Sequence, residues 1–374
     1  MQHSKLLHTC VLLLVGVACG PSSDDVISFT DHQTATHELT RTMTLSETQD
    51  LIFGRLSAML VASDGTVLVA DQQLFTIHQF NADGAYSGRI GQEGRGPGEF
   101  EAIGNMSFGR NDSLYVWDWS ATRLSVFART ETTWTFTRSF IMKRDNDGYF
   151  LSTLSRRPWL DGYLILESVP FFAGMEQPEI KYPRFREITE NGDELRVITS
   201  YPPSQSVVTR TENSVTVYTL PFGRSAVVEF DYEGTVHKAE WNERLSISRF
   251  SLDGDSLGGF SRDVEVRKVD LAHLARITSG TDTEYYKTVV DDVPDTYPAF
   301  VRFKVSEKGN YWVDMGELTE GVQLWLVFNS SGDILASYHL PGTTRIQTFQ
   351  NGLMYTFESA EDGTQSVGVY ESDF

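Results

Sequence analysis

The segments TVLVADQQLFTIHQF (66–80) and SLYVWDWSATRLSVF (113–127) state one unit twice. At a constant offset of 47 residues, Val67 meets Leu114, Val69 meets Val116, Asp71 meets Asp118, Ile77 meets Leu124 and Phe80 meets Phe127. Each copy holds two short alternating runs after a turn of Gly, Asp or Asn, the period-two signature of antiparallel strands joined by tight hairpins. Between the copies, GQEGRGPGEF (91–100) is too rich in glycine, with a proline added, to continue a strand, and so predicts a tight crossover. Two such strands after a tight turn, repeated at this period, are the pattern of one blade of a β-propeller.

Outward from this pair, inner hairpin turns recur at Gly65, Asp112, Gly162, Gly234, Gly309 and Gly352, spaced by 47, 50, 72, 75 and 43 residues. Six hairpins predict six blades. The two long spacings predict insertions at 201–225 and 269–298, the second helical over VDLAHLARI (269–277) and continuing through TEYYKTVV (283–290). The last repeat supplies three strands, RIQTF (345–349), MYTFES (354–359) and SVGVYE (366–371). A ring must close without open edges, so the lone strand HELTRTMTL (37–45) is expected to complete that blade. The expected fold is all-β, a single six-bladed propeller over 37–374 with an N-terminal strand closing the last blade.

The chain carries 31 basic and 51 acidic residues in 374, a formal net charge of −20 that repels phosphate backbones and argues against nucleic acid as a partner. Residues 1–18 read as an export signal: Lys5 gives a basic start, 11–17 an apolar run too short to span a bilayer, and Ala18 a small-residue ending. The segment closes on Cys19, which resembles the lipobox of bacterial lipoproteins and implies lipidation there, with membrane contact through the lipid alone. Residues 19–36 are then a flexible tether. The cysteines are Cys10 and Cys19, so the chain beyond the signal has no disulfide and no internal thiol nucleophile.

The pattern DG-x-[VLI]-x-V-x-D, followed by a strand ending in Phe and by G-x-x-G-x-G-P-G-E-F, resembles NHL-repeat proteins and TolB-like six-bladed bacterial propeller lipoproteins, most strongly over 56–127. That resemblance implies a binding or scaffolding module at the cell envelope, outer-membrane or periplasm-facing, with a minority of enzymatic relatives. It implies no cofactor and no particular substrate.

Catalytic motifs are sparse. There is no G-x-S-x-G elbow and no H-E-x-x-H or paired-Cys spacing, so no catalytic or metal-binding residue is expected. His78, His237 and His339 fall in strands, where an imidazole is ordinarily structural. Polar residues on the expected innermost strands are Asn105, Glu229, Arg302, Lys304, Arg345 and Gln347; their cations disfavour a calcium cage. If Arg302, Lys304 and Arg345 point inward they suit a small anionic ligand; otherwise they are surface or edge positions. Trp117 and Trp119 flank Asp118 and by alternation share a face, as core or as a stacking platform.

An acid recurs near the end of the second strand of every repeat: Asp71, Asp118, Glu167, Glu240, Asp314 and Glu358. Glu167 and Asp314 are shifted by one residue, which turns a strand side chain to the opposite face. Two readings stay open. The carboxylates accept backbone N–H bonds and fix turns, or Asp71, Asp118, Glu240 and Glu358 converge on one face and attract a cationic ligand or basic segment. The expected function is an exported, lipid-anchored binding or scaffold module for an unidentified protein or small molecule, its rim shaped by 201–225 and 269–298. The alternative is a channel-centred lactonase or hydrolase.

Overall fold

The computed structural model describes residues 26–48, 51–142, 149–168, 182–210, 215–279 and 283–374. Six four-stranded antiparallel blades follow one another round a ring, each beginning at the centre and ending at the rim. Blade one comprises Leu56–Val61, Val67–Asp71, Thr76–Phe80 and Tyr86–Ile90; blade two runs from Ile103–Phe108 to Trp134–Ile141. Blade three runs from Phe150–Ser155 to Glu194–Ser200, blade four from Val227–Phe230 to Ser256–Val264, and blade five from Arg302–Val305 to Ile334–Pro341. Blade six contributes Arg345–Gln350, Leu353–Ser359 and Gln365–Glu371, and takes Arg41–Leu45 as its outermost strand, antiparallel to Gln365–Glu371.

Burial follows strand position. Every residue of Val67–Asp71 and of Thr76–Phe80 is buried, because a middle strand is covered by a neighbouring blade on each face. The outer strand Tyr86–Ile90 keeps an alternating pattern. The cores therefore lie between blades: Ile77, Phe100, Leu114, Val116 and Phe127 pack together from blades one and two and their crossover.

That crossover is fixed by its own backbone. Gly94 N–H donates to Phe100 O at 3.0 Å, Phe100 N–H to Gln92 O at 2.8 Å, and Glu99 turns back to accept from Gly96 N–H at 2.7 Å. Gly91 has φ of +74°, and a Cβ there would lie 2.2 Å from the Phe100 ring, which is fully buried. Gly91→Ala is accordingly expected to cost about 1–3 kcal/mol by strain and displacement of that ring, read as a lowered urea midpoint.

The N-terminal segment departs from expectation. Instead of a free tether to residue 36, the chain packs from Val26 onward. Val26–Ile27 pairs in parallel with Asp263–Val264 at the rim of blade four. Ile27 and Phe29 join the core between blades four and five. Thr36 N–H donates to Ser337 Oγ at 3.0 Å, and His339 Nε2 donates to His32 O at 2.8 Å, on the rim of blade five. With Arg41–Leu45 on blade six, one strap crosses the outer edges of three consecutive blades. Two apolar residues, Ile27 and Phe29, are what draw it down. The signal segment and Cys19 lie outside the described residues.

The expected insertions are present. Ser206–Arg210 and Val215–Thr219 form a separate antiparallel pair, where strands had not been foreseen. Leu271–Thr278 is a helix whose first turn is capped by the Asp270 carboxylate accepting from Ala272 N–H, and a second helix spans Thr283–Val289. Among the described residues no helix is long and apolar enough to cross a membrane.

Candidate functional site

The two insertions are consecutive crossovers on either side of blade four, and they meet on the face where the second strands end, here called the upper face. Tyr285 Oη donates to Thr219 O at 3.0 Å, and Arg224 Nη2 to Thr296 Oγ1 at 2.8 Å, so the strand pair and the helices form one roof. Beneath it, over blades four, five and six, lies a cavity of about 760 Å³. Phe222, Ile277, Pro298, Val301, Met315 and Pro341 form its apolar wall.

One side of the cavity is polar. His273 stands on the capped helix, its Nε2 2.7 Å from Glu317 Oε2 and its Nδ1 2.9 Å from Tyr297 Oη. Burial lowers the pKa of His273 below the ordinary imidazole value against the opposing pull of Glu317, which leaves the ring neutral at pH 7. Nε2–H then donates to the carboxylate and Nδ1 accepts from the tyrosine hydroxyl. Glu317 also accepts from Arg276 Nη2 at 2.5 Å and from Gly321 N–H at 2.7 Å. Arg267 lies 3.5 Å from the Phe29 ring centre and 5.0 Å from that of Tyr297, and donates to the carbonyls of Glu317 and Met315 at 2.7 and 3.2 Å. The N-terminal strap thus supports the cavity from behind.

None of His273, Tyr297, Glu317 or Arg267 was singled out from sequence. The available signal was His273 three residues before Arg276 on a capped helix, the spacing that places both on one side of it.

The acids counted along the repeats separate. Asp71 is buried and accepts from the N–H groups of Gly54 at 2.6 Å and of Arg55, Gln73 and Leu74 at 3.0 Å each. Buried Asp118 accepts from Glu101 N–H at 2.8 Å and Ala121 N–H at 3.0 Å. Asp314 takes Gly316 N–H at 3.0 Å and Arg302 Nε at 3.1 Å; Glu167 is held by Arg184 at 2.7 Å and by Arg186. Glu358 is clasped by Arg41 at 2.9 Å and by Tyr370. Glu240 is exposed and pairs with Lys238 at 3.1 Å, while the turn-fixing position of blade four is Asn242, whose Oδ1 accepts from Ser225 N–H at 3.0 Å. The six acids therefore form no common exposed ring. Asp71 and Asp118 face inward because the backbone around each turn needs an acceptor that the ladder does not supply.

Three other expectations resolve similarly. On the innermost strands Lys304 donates to Glu229 at 2.8 Å and Arg302 to Asp314, whereas Arg345 is exposed. Trp117 is buried but Trp119 is 59% exposed, because the strand ends at Asp118 and alternation stops there. His78 sits 3.4 Å from Asp71, and His237 lies between Asp231 at 3.1 Å and Tyr311 at 2.9 Å. Among the described residues no three His, Cys, Asp or Glu side chains are grouped to hold a metal ion.

Fold and site together define an all-β six-bladed propeller with an elaborated upper face. Residues 25–167 match DUF5128, a family described as a 6-bladed beta-propeller. Among solved structures, the chain is similar to a member of the DUF4221 family from Bacteroides vulgatus ATCC 8482, with a TM-score of 0.54, 11% identity, and 89% of this chain and 99% of that one covered. It is also similar to a protein from Bacteroides fragilis NCTC 9343 described as exported, with a TM-score of 0.53, 11% identity, and coverage of 89% and 94%. These likenesses are of fold. No curated protein matches the chain.

Proposed function

We propose that the chain is an exported binding module that holds a small molecule in the upper-face cavity. The supporting observation is that this cavity, about 760 Å³ and in the size range of ligand sites, is built largely from segments the blade repeat does not need. The roof is anchored from several directions, so the cavity is preformed rather than assembled on binding.

The neutral fluorophore N-phenyl-1-naphthylamine tests this directly. The wild-type chain is expected to bind it, and Ile277→Asp to weaken binding about tenfold or more by placing a carboxylate in the apolar wall, with the unfolding temperature unchanged. Absence of binding to the wild type, or equal binding by the variant, overturns the reading.

Export and lipid attachment at Cys19 form part of the proposal, supported by the sequence of residues 1–20 and by the NHL-type likeness over the first two blades. Cys19→Ser is expected to move the protein from the membrane fraction to the soluble one. Unchanged membrane association rules out this anchor.

The hydrolase reading draws on Tyr297, His273 and Glu317, a hydrogen-bonded series at the cavity wall. The same arrangement occurs in Tyr311, His237 and Asp231, where Tyr311 and His237 are buried within the blades. In that place it holds structure together, and this favours binding over catalysis. Turnover in an ester and lactone screen that disappears in His273→Gln reverses the preference.

A further inference from the structure

Beside the cavity, on the same face, a polar hollow of about 420 Å³ opens between blades six and one. Arg55 and Arg345 both line it, with Gln72, Gln347 and Gln365, and its walls contain no carboxylate. Neither guanidinium has an ion pair or side-chain hydrogen bond among the described residues. By contrast, Arg41, Arg129, Arg184, Arg186, Arg302 and Lys304 all meet acids. Two like charges sharing a hollow repel each other, and an entering anion removes that repulsion.

The neighbouring amides leave a donor available. Gln365 Oε1 already accepts from Leu56 N–H at 2.8 Å, so its NH₂ group remains free to donate. Gln72 and Gln347 spend their NH₂ groups on the carbonyls of Ile103 at 3.0 Å and Arg345 at 3.2 Å. Guanidinium forks with an added amide donor match the planar or tetrahedral oxygens of a carboxylate, sulfonate or phosphate.

Hollow and cavity share blade six. Thr343 borders the cavity and Arg345 the hollow; Ser359 borders the cavity and Phe357 the hollow. In each segment the two sites are a step of two residues apart, a span of about 7 Å at most in extended chain. A single organic molecule of moderate length covers that distance.

We propose that the upper face takes an amphipathic organic anion, its apolar body in the cavity and its anionic end between Arg55 and Arg345. The apolar half of this assignment rests on the cavity reading above; the arginine pair is an independent observation.

Two fluorophores separate the halves: 8-anilinonaphthalene-1-sulfonate and N-phenyl-1-naphthylamine share a skeleton and differ by the sulfonate. For the double variant Arg55→Gln, Arg345→Gln, binding of the sulfonate is expected to fall about tenfold or more and to lose its salt dependence, with binding of the neutral probe unchanged. Both side chains are exposed, so the unfolding temperature should not move. If both probes weaken equally, or neither does, the anionic subsite is overturned while the cavity reading survives. If the wild type fails to bind the neutral probe but binds the sulfonate through Arg345, the cavity reading falls and the composite ligand with it.

Discussion

Asp71→Ala is expected to lower the unfolding free energy by about 3–5 kcal/mol, because several hydrogen bonds to one charged acceptor, each about 1.5–3 kcal/mol and less than additive, are lost at once. Four backbone N–H groups, from Gly54, Arg55, Gln73 and Leu74, lose their shared charged acceptor together. Those donors belong to two segments, the lead-in to the innermost strand and the turn after the second strand, so one carboxylate ties together two neighbouring chain segments at the upper end of the blade. Asp71→Asn retains one acceptor oxygen and should lose roughly half as much. Urea unfolding measures both. A change under about 1 kcal/mol for the alanine variant contradicts the turn-fixing role, and retained stability with weakened binding of a cationic ligand would restore the alternative.

The same carboxylate gives a pH dependence. Burial works to raise the pKa of Asp71, but hydrogen bonds from His78 and from the N–H groups of Arg55, Gly54 and Leu74 outweigh it and hold the group well below the usual carboxylate range. For Asp231, burial is likewise outweighed by His237, Thr235 and Glu233, and its value is lowered to about 2. A folded-state pKa below the unfolded value means that the stabilisation is complete above the unfolded value, near 3.8, and is lost as pH falls toward the folded one. Wild-type stability should therefore decline below about pH 4, and Asp71→Ala should flatten that decline.

Deleting residues 26–45 is the second large effect. The strap covers the rims of blades four, five and six, and its removal exposes the outer edges of Ser256–Val264, Ile334–Pro341 and Gln365–Glu371 at once. Ile27, Phe29 and Leu45 are each less than a tenth exposed, and burial of side chains of this size contributes about 1.5–3 kcal/mol apiece before any backbone pairing is counted. The truncated chain is expected to aggregate through unpaired strand edges, seen as high-mass species by light scattering and a lowered unfolding midpoint. Deleting only 26–36 separates the parts: blade six keeps its fourth strand, so this variant should stay monomeric but lose the Phe29 support behind Arg267. A fully truncated protein that remains monomeric and as stable as wild type refutes the closing role of the strap.

Much of the ring was legible because its signals are local. Hairpin turns at Gly65, Asp112, Gly162, Gly234, Gly309 and Gly352 mark the blades, the GQEGRGPGEF crossover can take only an irregular path, and helical apolar spacing over 269–277 announced the helix Leu271–Thr278. The three-stranded final repeat pointed to its missing strand, since backbone pairing leaves an open edge as a visible deficit. All of these depend on residues within a few positions of one another, or on a count of strands.

The site was decided elsewhere. Tyr297 and His273 are 24 residues apart, and Glu317 arrives from a different blade; only the path of the crossover over the upper face brings them together. Counting placed Glu240 in the acid series, but a shift of two residues gives the turn to Asn242 and sends Glu240 to solvent. Tether and strap were equally indistinct, because the value of Ile27 and Phe29 depends on a groove that blades four and five create between them. Sequence by itself determined the number of blades and the places where the chain leaves them, through short-range turn chemistry and strand periodicity. Tertiary structure alone decided which side chains share a cavity and which carboxylates are buried, because those properties belong to surfaces that exist only after separate blades have packed.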